Sequence, residues 1–225
     1  IMNRRQFLAR SSAGVLLFDL FPRSIARGAG APSANDKLNL AGIGIGSQGG
    51  GDIDAMAAEG QNIVALCDVD DDYAAKKFAQ YPNAKRFKDF RVMFDQMGKG
   101  IDGVVIGTPD HTHADIAMAA MKRQKHVYCE KPLAHSYGEV RALMAAAKEH
   151  QVVTQLGNQG HSSGSIRQLC EWVWAGAVGK VHTVHAACDA FKEVYSQKRN
   201  LDKLQQAYDV PQSLDYDLWL GPVQF

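Results

Sequence analysis

Short apolar runs alternate with amphipathic stretches along most of the chain. Runs that predict β-strands cover residues 38–43, 62–67, 84–87, 102–106, 126–129 and 152–156. Stretches with helical periodicity lie near residues 50–59, 71–80, 89–97, 113–124, 136–149 and 163–175. Strands that alternate with helices are typical of a parallel sheet with helices on both faces, and such strands are continuously apolar. The pattern therefore predicts an α/β fold built on a doubly wound parallel sheet.

The pattern changes near residue 180. Apolar and polar positions alternate roughly over residues 180–190, which predicts a longer strand, and the stretch from there to residue 213 is polar and irregular. We therefore expect a first domain over residues 35–179 and the beginning of a second, α+β domain over residues 180–225. One strand and a loop cannot complete a core, so we expect this second domain to be incomplete in this chain.

Residues 1–34 have the pattern of an export signal. The sequence Arg4-Arg5-x-Phe7-Leu8 precedes a modest apolar stretch and then small residues, an order typical of a twin-arginine signal peptide. A basic amphipathic N-terminus stays the alternative. The apolar stretch is short and is interrupted by Asp19, which argues against a permanent membrane anchor. We expect an exported, periplasmic protein that uses the twin-arginine export machinery.

The composition is typical of a globular protein, with 46% hydrophobic and 22% charged residues among 225. Residues 1–34 contain five arginines and one aspartate, so the rest of the chain has a formal net charge of −3. This mildly acidic body argues against nucleic acid as a partner. The cysteines at positions 67, 129, 170 and 188 form no Cys-x-x-Cys pair, and buried free thiols are favoured over disulfides. No cluster has metal-ligand spacing, apart from the weak signal of His111-Thr112-His113.

A glycine-rich turn follows the first predicted strand and precedes a helix. It reads Gly44-x-Gly46-x-x-Gly49, and Asp68 closes the second predicted strand 19 residues later. Strand, turn, helix and acid together form the dinucleotide-binding fingerprint of a Rossmann-type fold, in which the turn and the helix N-terminus receive the pyrophosphate. The expected cofactor-binding residues here are Gly44, Ile45, Gly46, Ser47, Gln48, Gly49 and Asp68.

The acidic residues around Asp68 indicate which cofactor binds. Asp70, Asp71 and Asp72 follow it and no arginine adjoins them, so a 2′-phosphate would meet like charge while a 2′-hydroxyl can donate to Asp68. NAD is therefore favoured over NADP. Asp52, in the first turn of the following helix, is expected to point away from the pyrophosphate, as is Asp54.

The segment Gly160-His161-Ser162-Ser163-Gly164 matches the nucleophile elbow of α/β-hydrolases. The preceding strand ends several residues earlier, and no histidine follows His185, although that fold needs its histidine late in the chain. A serine hydrolase is therefore set aside.

Four motifs in order resemble the glucose-fructose oxidoreductase/inositol dehydrogenase (Gfo/Idh/MocA) family of sugar oxidoreductases. They are the glycine turn, GTPDHTHADIA at 107–117, CEKPLA at 129–134 and LGNQGH at 156–161. The resemblance extends over residues 38–221, and the tail LDYDLWLGP resembles that of exported members. It implies an NAD-dependent oxidoreductase acting on a CH–OH group of a sugar or polyol.

The resemblance also implies roles for individual residues. Lys131 would bind a substrate hydroxyl and assist its deprotonation, Glu130 would hold Lys131 and seat the nicotinamide ribose, and Pro132 would fix the backbone, with a cis Lys131–Pro132 bond compatible with this. His161 would reach the substrate. The further residues expected at the cofactor are Thr108, Pro109, His111, His113, Asn158 and Gln159.

Three functions stay open at this point. The first is net oxidation of a sugar or polyol. The second, suggested by export away from soluble cofactor, is a redox-neutral glycosidase or lyase that retains its NAD tightly. The third is a nucleotide-binding protein without catalysis. The family implies a further acid–base histidine beyond residue 225 and a homo-oligomer formed through a complete second domain.

Overall fold

Six parallel strands form the sheet, as the alternating pattern predicted. The structure is a computed structural model and describes residues 37–186 and 207–223. The strands are β1 Asn39–Ile43, β2 Asn62–Cys67, β3 Lys85–Phe87, β4 Gly103–Ile106, β5 His126–Glu130 and β6 Thr154–Gly157. Their order in the sheet is β3-β2-β1-β4-β5-β6. From β1 the strands β2 and β3 are added on one side of the sheet, and β4, β5 and β6 are added on the other side. Ligands of such sheets bind beyond the carboxyl ends of the strands at this switch point, between β1 and β4.

Seven α-helices occur in the described part of the chain. They are α1 Gln48–Ala58, α2 Asp71–Gln80, α3 Phe90–Met97, α4 His113–Met121, α5 Tyr137–Glu149, α6 Gly164–Trp174 and α7 Tyr216–Leu220. Local chemistry fixes several of their starts. Asp70 caps α2 by accepting from the N–H groups of Asp72 and Tyr73, and Ser136 forms a capping box with Glu139 at the start of α5.

Apolar side chains fill both faces of the sheet. Met93, Ile106 and Ile116 belong to the larger buried cluster, and Ile53 and Leu66 belong to the smaller cluster on the other face. This burial on two faces explains why the strands are continuously apolar in sequence.

Two cysteines are buried in this core. Cys67 and Cys129 are free thiols, as predicted, and Cys170 is also free. Burial raises the pKa of Cys67 far above its usual range and, together with the charge of Glu130, raises that of Cys129 to about 12. Both therefore act as small apolar side chains rather than nucleophiles.

The expected strand at residues 180–190 is not seen where the structure describes it. Residues 181–186 form no strand and are exposed, and residues 187–190 lie outside the described residues. A strand needs a neighbour to pair with, and the described residues place none beside this stretch. The expected export signal at 1–34 also lies outside the described residues, and the boundary at residue 180 stays a prediction. None of the described helices has the length and apolar character that crossing a membrane requires.

A matched pair of methionines tests the core. Met93 is fully buried on α3, whereas the side chain of Met144 on α5 is 59% exposed. We expect Met93→Ala to lower the free energy of unfolding by about 2–5 kcal/mol, because it removes buried apolar atoms and leaves a cavity. Met144→Ala should change it by less than about 0.5 kcal/mol. Denaturant unfolding of both variants measures the difference, and equal effects would contradict the assigned packing.

Candidate active site

The glycine turn between β1 and α1 has the geometry that the fingerprint predicted. Gly44 has a φ of +75°, which favours glycine, and its N–H donates to the Cys67 carbonyl at 2.9 Å. A Cβ on Gly49 would overlap the Gly44 carbonyl oxygen and approach the Cα of Gly107 to 3.0 Å. The glycines thus allow α1 to begin close against the ends of β1 and β4.

Asp68 holds this turn in place. Its Oδ2 accepts from the N–H groups of Ile45 at 2.8 Å and Gly46 at 3.1 Å, and its Oδ1 accepts from Asp70 N–H at 3.1 Å. Burial raises the pKa of Asp68, and these three donors oppose that effect. A carboxylate has about four acceptor positions, so one position stays open for a ribose hydroxyl. The sequence indicated the ribose role but not this bracing of the turn.

Tyr73 lies over the middle of the glycine turn. A Cβ on Gly46 would overlap the Tyr73 ring, which belongs to α2 and is 61% exposed. No sequence pattern indicates this contact, because it arises only when β1 and β2 bring α1 and α2 together. The ring occupies space next to the backbone that a pyrophosphate would approach, and its exposure leaves it room to rotate.

A cavity of about 480 Å³ extends from the glycine turn across the carboxyl ends of the central strands. Gly44, Gly46 and Asp68 line one side of it, and Thr108 and Pro109 line another. These five residues were predicted at the cofactor, and the structure brings them together around one space. Ser47 also lines this cavity, Ile45 and Gly49 are buried in the turn, and Gln48 begins α1.

Residues 213–222 cover one side of the cavity. Leu214 forms an antiparallel bridge with Asp70, and Asp215 N–H donates to the Val69 carbonyl at 2.9 Å. Trp219 lines the cavity, and its carbonyl lies 2.9 Å from Nε2 of His111. His111 therefore contacts this covering segment, and its predicted contact with a cofactor stays a prediction. Sequence reasoning missed the covering role, since the contact joins residues more than 100 positions apart.

Two basic side chains also line the cavity, and each is paired with an aspartate. Lys88 lies 2.8 Å from Asp71, and Arg91 contacts Asp89 through its Nε at 2.9 Å. Asp89 also caps α3 by accepting from the Arg91 N–H. The sequence placed no arginine beside the acidic run, but the fold brings Arg91 to the same cavity. Its charge there is balanced by Asp89.

His113 joins the ends of β4 and β5. It is 1% exposed, with Nδ1 at 2.7 Å from the Pro132 carbonyl and Nε2 at 2.8 Å from the Thr108 carbonyl. Both ring nitrogens are occupied by main-chain oxygens, so the predicted direct contact with a cofactor is replaced by a positioning role. His113 fixes the loop that carries Thr108 relative to the loop that carries Pro132.

The end of β5 presents the Glu130-Lys131-Pro132 segment at the same edge of the sheet. Glu130 is buried, Lys131 is exposed, and the peptide bond between Lys131 and Pro132 is cis, as the sequence allowed. Glu130 accepts a hydrogen bond from the Gln159 amide. Burial raises the pKa of Glu130, the Gln159 donor opposes this, and the negative charge of Asp52 raises it further.

The remaining predicted site residues follow β6. Gln159 and His161 lie in a 3₁₀ turn, Gln159–Ser162, and Asn158 precedes it. Asn158 and His161 are exposed, and their contacts with cofactor and substrate stay predictions. The Gln159 amide points inward to Glu130 and to Asp52, whose Oδ1 it reaches at 2.9 Å. Gln159 is itself exposed, and its predicted contact with the cofactor stays a prediction.

The two acids of α1 have different surroundings. Asp54 faces α2, where it accepts hydrogen bonds from Lys77, Gln80 and Tyr81, away from the glycine turn as expected. Asp52 is 5% exposed and faces the end of β5. No sequence pattern distinguished Asp52 from Asp54. In the described part of the chain, His, Cys, Asp and Glu side chains form no group of three that could hold a metal ion.

Comparison with known proteins agrees with this geometry. Residues 38–158 match Gfo/Idh/MocA, described as an oxidoreductase family with an NAD-binding Rossmann fold. The chain belongs to this family. The glycine turn, Asp68 and the covered cavity of this Gfo/Idh/MocA chain fit a dinucleotide, since they offer a close backbone approach, a helix N-terminus and an acid next to one space.

Several relatives have assigned activities. The chain is 29% identical over 147 residues to inositol 2-dehydrogenase from Salmonella typhimurium, which covers 64% of this chain and 43% of the relative. It is 28% identical over 116 residues to levoglucosan dehydrogenase from Pseudarthrobacter phenanthrenivorans, and this match covers 52% of this chain and 29% of the relative. It is 30% identical over 87 residues to 2,7-anhydro-N-acetylneuraminate hydratase from Escherichia coli, covering 39% and 23%.

Solved structures show the same domain. The myo-inositol 2-dehydrogenase of Lactobacillus plantarum superimposes with a TM-score of 0.59 at 26% identity, over 64% of this chain and 43% of that protein. This Gfo/Idh/MocA chain thus spans less than half the length of the relatives it matches. The match concerns the nucleotide-binding domain.

Two glycines of α1 give a matched test of the turn. A Cβ on Gly49 would overlap backbone atoms, whereas nothing lies within 4 Å of a Cβ on Gly51. We expect Gly49→Ala to destabilise the fold by about 1–3 kcal/mol, because α1 must shift, and to weaken NAD binding. Gly51→Ala should stabilise it by about 0.4–1 kcal/mol and leave binding intact. Thermal unfolding and NAD titration compare the two, and equal behaviour would argue against this packing.

Proposed function

We propose that the complete protein is an NAD-dependent oxidoreductase that removes hydride from a CH–OH carbon of a sugar or polyol. The observation that carries the proposal is that the glycine turn and the exposed Lys131 lie at the same carboxyl edge of the sheet. The reaction class is also supported by the chain's membership of the Gfo/Idh/MocA family and by its similarity to dehydrogenases.

The residues that line the cavity would hold the cofactor. The turn at Gly44–Gly49 and the N-terminus of α1 would receive the pyrophosphate, and the free acceptor position of Asp68 would take a ribose hydroxyl. Thr108 and Pro109 would form the floor on the way to β5, where Glu130 lies. NAD supplies a hydride acceptor when bound, and the chain's own residues orient it and handle the proton.

Lys131 is the residue we assign to proton transfer. Oxidation of a carbinol releases a hydride from carbon and a proton from oxygen, and the proton needs an acceptor at the hydroxyl. The side chain of Lys131 is exposed at the strand end, while its backbone is fixed by Pro132 and, through the Pro132 carbonyl, by His113. We assign this role to the neutral amine form of Lys131, since an ammonium group has no electron pair with which to accept a proton, and the fixed backbone positions the side chain.

The assignment of Lys131 has a direct test. We expect Lys131→Met in the complete protein to lower kcat by about 10²–10⁴-fold, because the hydroxyl proton loses its acceptor, with little change in NAD affinity. Lys122→Met provides the control, since Lys122 is exposed at the far end of α4. Steady-state kinetics on sugars and polyols and NAD titration measure the two effects. Full turnover by Lys131→Met would exclude the assignment.

A second candidate is redox-neutral chemistry, in which transient oxidation at one carbon permits elimination, hydration or glycoside cleavage at another. The similarity to a hydratase supports it, as does the export signal proposed for residues 1–34, because a protein outside the cytoplasm must keep its cofactor. The same assays separate the candidates. Net oxidation accumulates reduced nicotinamide, whereas the redox-neutral enzyme forms product with no net change in nicotinamide absorbance and retains NAD through purification.

We also propose that NAD is preferred over NADP. Asp68 and Asp70 line the cavity, and the two basic side chains there are paired with Asp71 and Asp89. A 2′-phosphate would therefore meet uncompensated negative charge.

The cofactor preference is measurable on the protein itself. We expect NAD⁺ to bind at least about tenfold more tightly than NADP⁺, a difference of about 1.4 kcal/mol. Asp89→Asn keeps a capping side chain at the start of α3 but removes the carboxylate that pairs with Arg91. The freed guanidinium can then contact a 2′-phosphate, so the variant should show a smaller difference between its affinities for NAD⁺ and NADP⁺. Asp95→Asn is the matched control, since Asp95 pairs with Arg123 elsewhere on the surface. Isothermal titration measures both affinities, and a native protein with equal affinities would contradict the proposal.

A further inference from the structure

Two buried carboxyl groups meet between α1 and the end of β5. Asp52 and Glu130 are each 5% exposed. The Gln159 amide nitrogen donates to both of them, to Asp52 Oδ1 at 2.9 Å and to Glu130 Oε1. The Gln48 amide nitrogen donates to the same Asp52 oxygen at 3.0 Å. One amide thus bridges two acids that come from different elements.

The second oxygen of Asp52 is left without a donor. Asp52 Oδ2 is buried and has no hydrogen-bond partner among residues 37–186 and 207–223. A buried polar atom without a hydrogen-bond partner is destabilising, and two buried like charges side by side are more so. A proton held between the two carboxyl groups removes both penalties, because it pairs Oδ2 and leaves a single negative charge.

The surroundings of the two carboxyl groups are short of positive charge. Glu130 accepts from the Lys131 backbone N–H, but the Lys131 side chain is exposed. Tyr128 lies on the same face of β5 as Glu130, and Cys129 lies on the opposite face. Asp54 of α1 faces α2, and His161, in the turn that carries Gln159, is exposed. Burial and the charges of Asp52 and Glu130 raise the pKa of Tyr128, so its hydroxyl stays neutral. Within the described residues, the ion pairs of lysine and arginine involve neither carboxyl group.

We propose that Asp52 and Glu130 share one proton, and that this proton is released when the oxidised nicotinamide cofactor binds beside Glu130. The second half rests on the proposed function, which places the nicotinamide at the end of β5. The oxidised ring carries a positive charge that favours the ionised form of a nearby acid, whereas the reduced ring is neutral.

The proton balance follows from these charges. Binding of NAD⁺ sends the shared proton to solvent and leaves two carboxylates facing the positive ring. Hydride transfer then neutralises the ring with the electron pair of the broken C–H bond, and the carboxyl groups take one proton back from solvent. The hydroxyl proton of the substrate goes separately to Lys131. Asp52 is in this scheme a positioning residue, since it acts through Glu130.

The variant Asp52→Asn isolates the shared proton. Its amide oxygen replaces Oδ1, and its NH₂ group replaces Oδ2 and can donate to an ionised Glu130, so no proton needs to be shared. Asp95→Asn, on the exposed face of α3, is the matched control.

Binding calorimetry on the complete protein, in two buffers of different ionisation enthalpy, measures the release. We expect the native protein and Asp95→Asn to release close to one proton per NAD⁺ and almost none per NADH. The affinity for NAD⁺ should rise with pH, by up to about tenfold per unit, because a proton is lost on binding. Asp52→Asn should remove both effects. NAD⁺ binding by the native protein without proton release would overturn the release step.

Infrared spectroscopy of the cofactor-free protein tests the shared proton without any ligand. We expect a protonated carboxylic acid band in the native protein at neutral pH, lost in Asp52→Asn and retained in Asp95→Asn. Asp68 is also a buried acid, so the difference between native and variant spectra is the informative quantity. A native protein with no such band overturns the shared proton even if the variant fails to fold. A protein that binds no NAD⁺ overturns the proposed function and the release step, while the band still decides whether the proton is shared.

Discussion

The hydrogen bonds that the Asp68 carboxylate accepts from backbone N–H groups fix the geometry of the cleft. They join the turn after β1 to the turn after β2, so the starts of α1 and α2 are set relative to each other through one buried acid. Hydrogen bonds to a charged acceptor are worth about 1.5–3 kcal/mol each. Other features follow from this anchor: the approach of Tyr73 to Gly46, the wall of the cavity, and the edge against which Leu214 pairs.

The sequence predicted the parts of the molecule that depend on local pattern. The six strands, their helices and the turn at Gly44–Gly49 were predicted because apolar runs and glycine spacing report burial and backbone shape directly. It could not predict the roles of Asp52, Tyr73 or His113, because those depend on which elements become neighbours. A histidine that follows Thr108-Pro109 within a few residues indicates a ligand contact by its position in sequence. In the fold, however, the ring of His113 faces two carbonyl oxygens.

The site divides into two ends with different chemistry. The end near Asp68 is acidic and presents the backbone of the glycine turn, which suits binding of the part of a dinucleotide that does not react. The end near β5 combines the buried Glu130 with the exposed Lys131, which suits proton movement. His113 and Thr108 lie between the two ends and are in contact, with His113 Nε2 2.8 Å from the Thr108 carbonyl.

The segment at residues 213–222 has a kinetic consequence. It is attached to the body by main-chain contacts at Val69 and Asp70 and by the His111 side chain, which contacts the Trp219 carbonyl and ring. Such contacts form and break locally without unfolding the sheet. A dinucleotide bound in the cavity would therefore enter and leave past a segment that can open while the sheet stays folded.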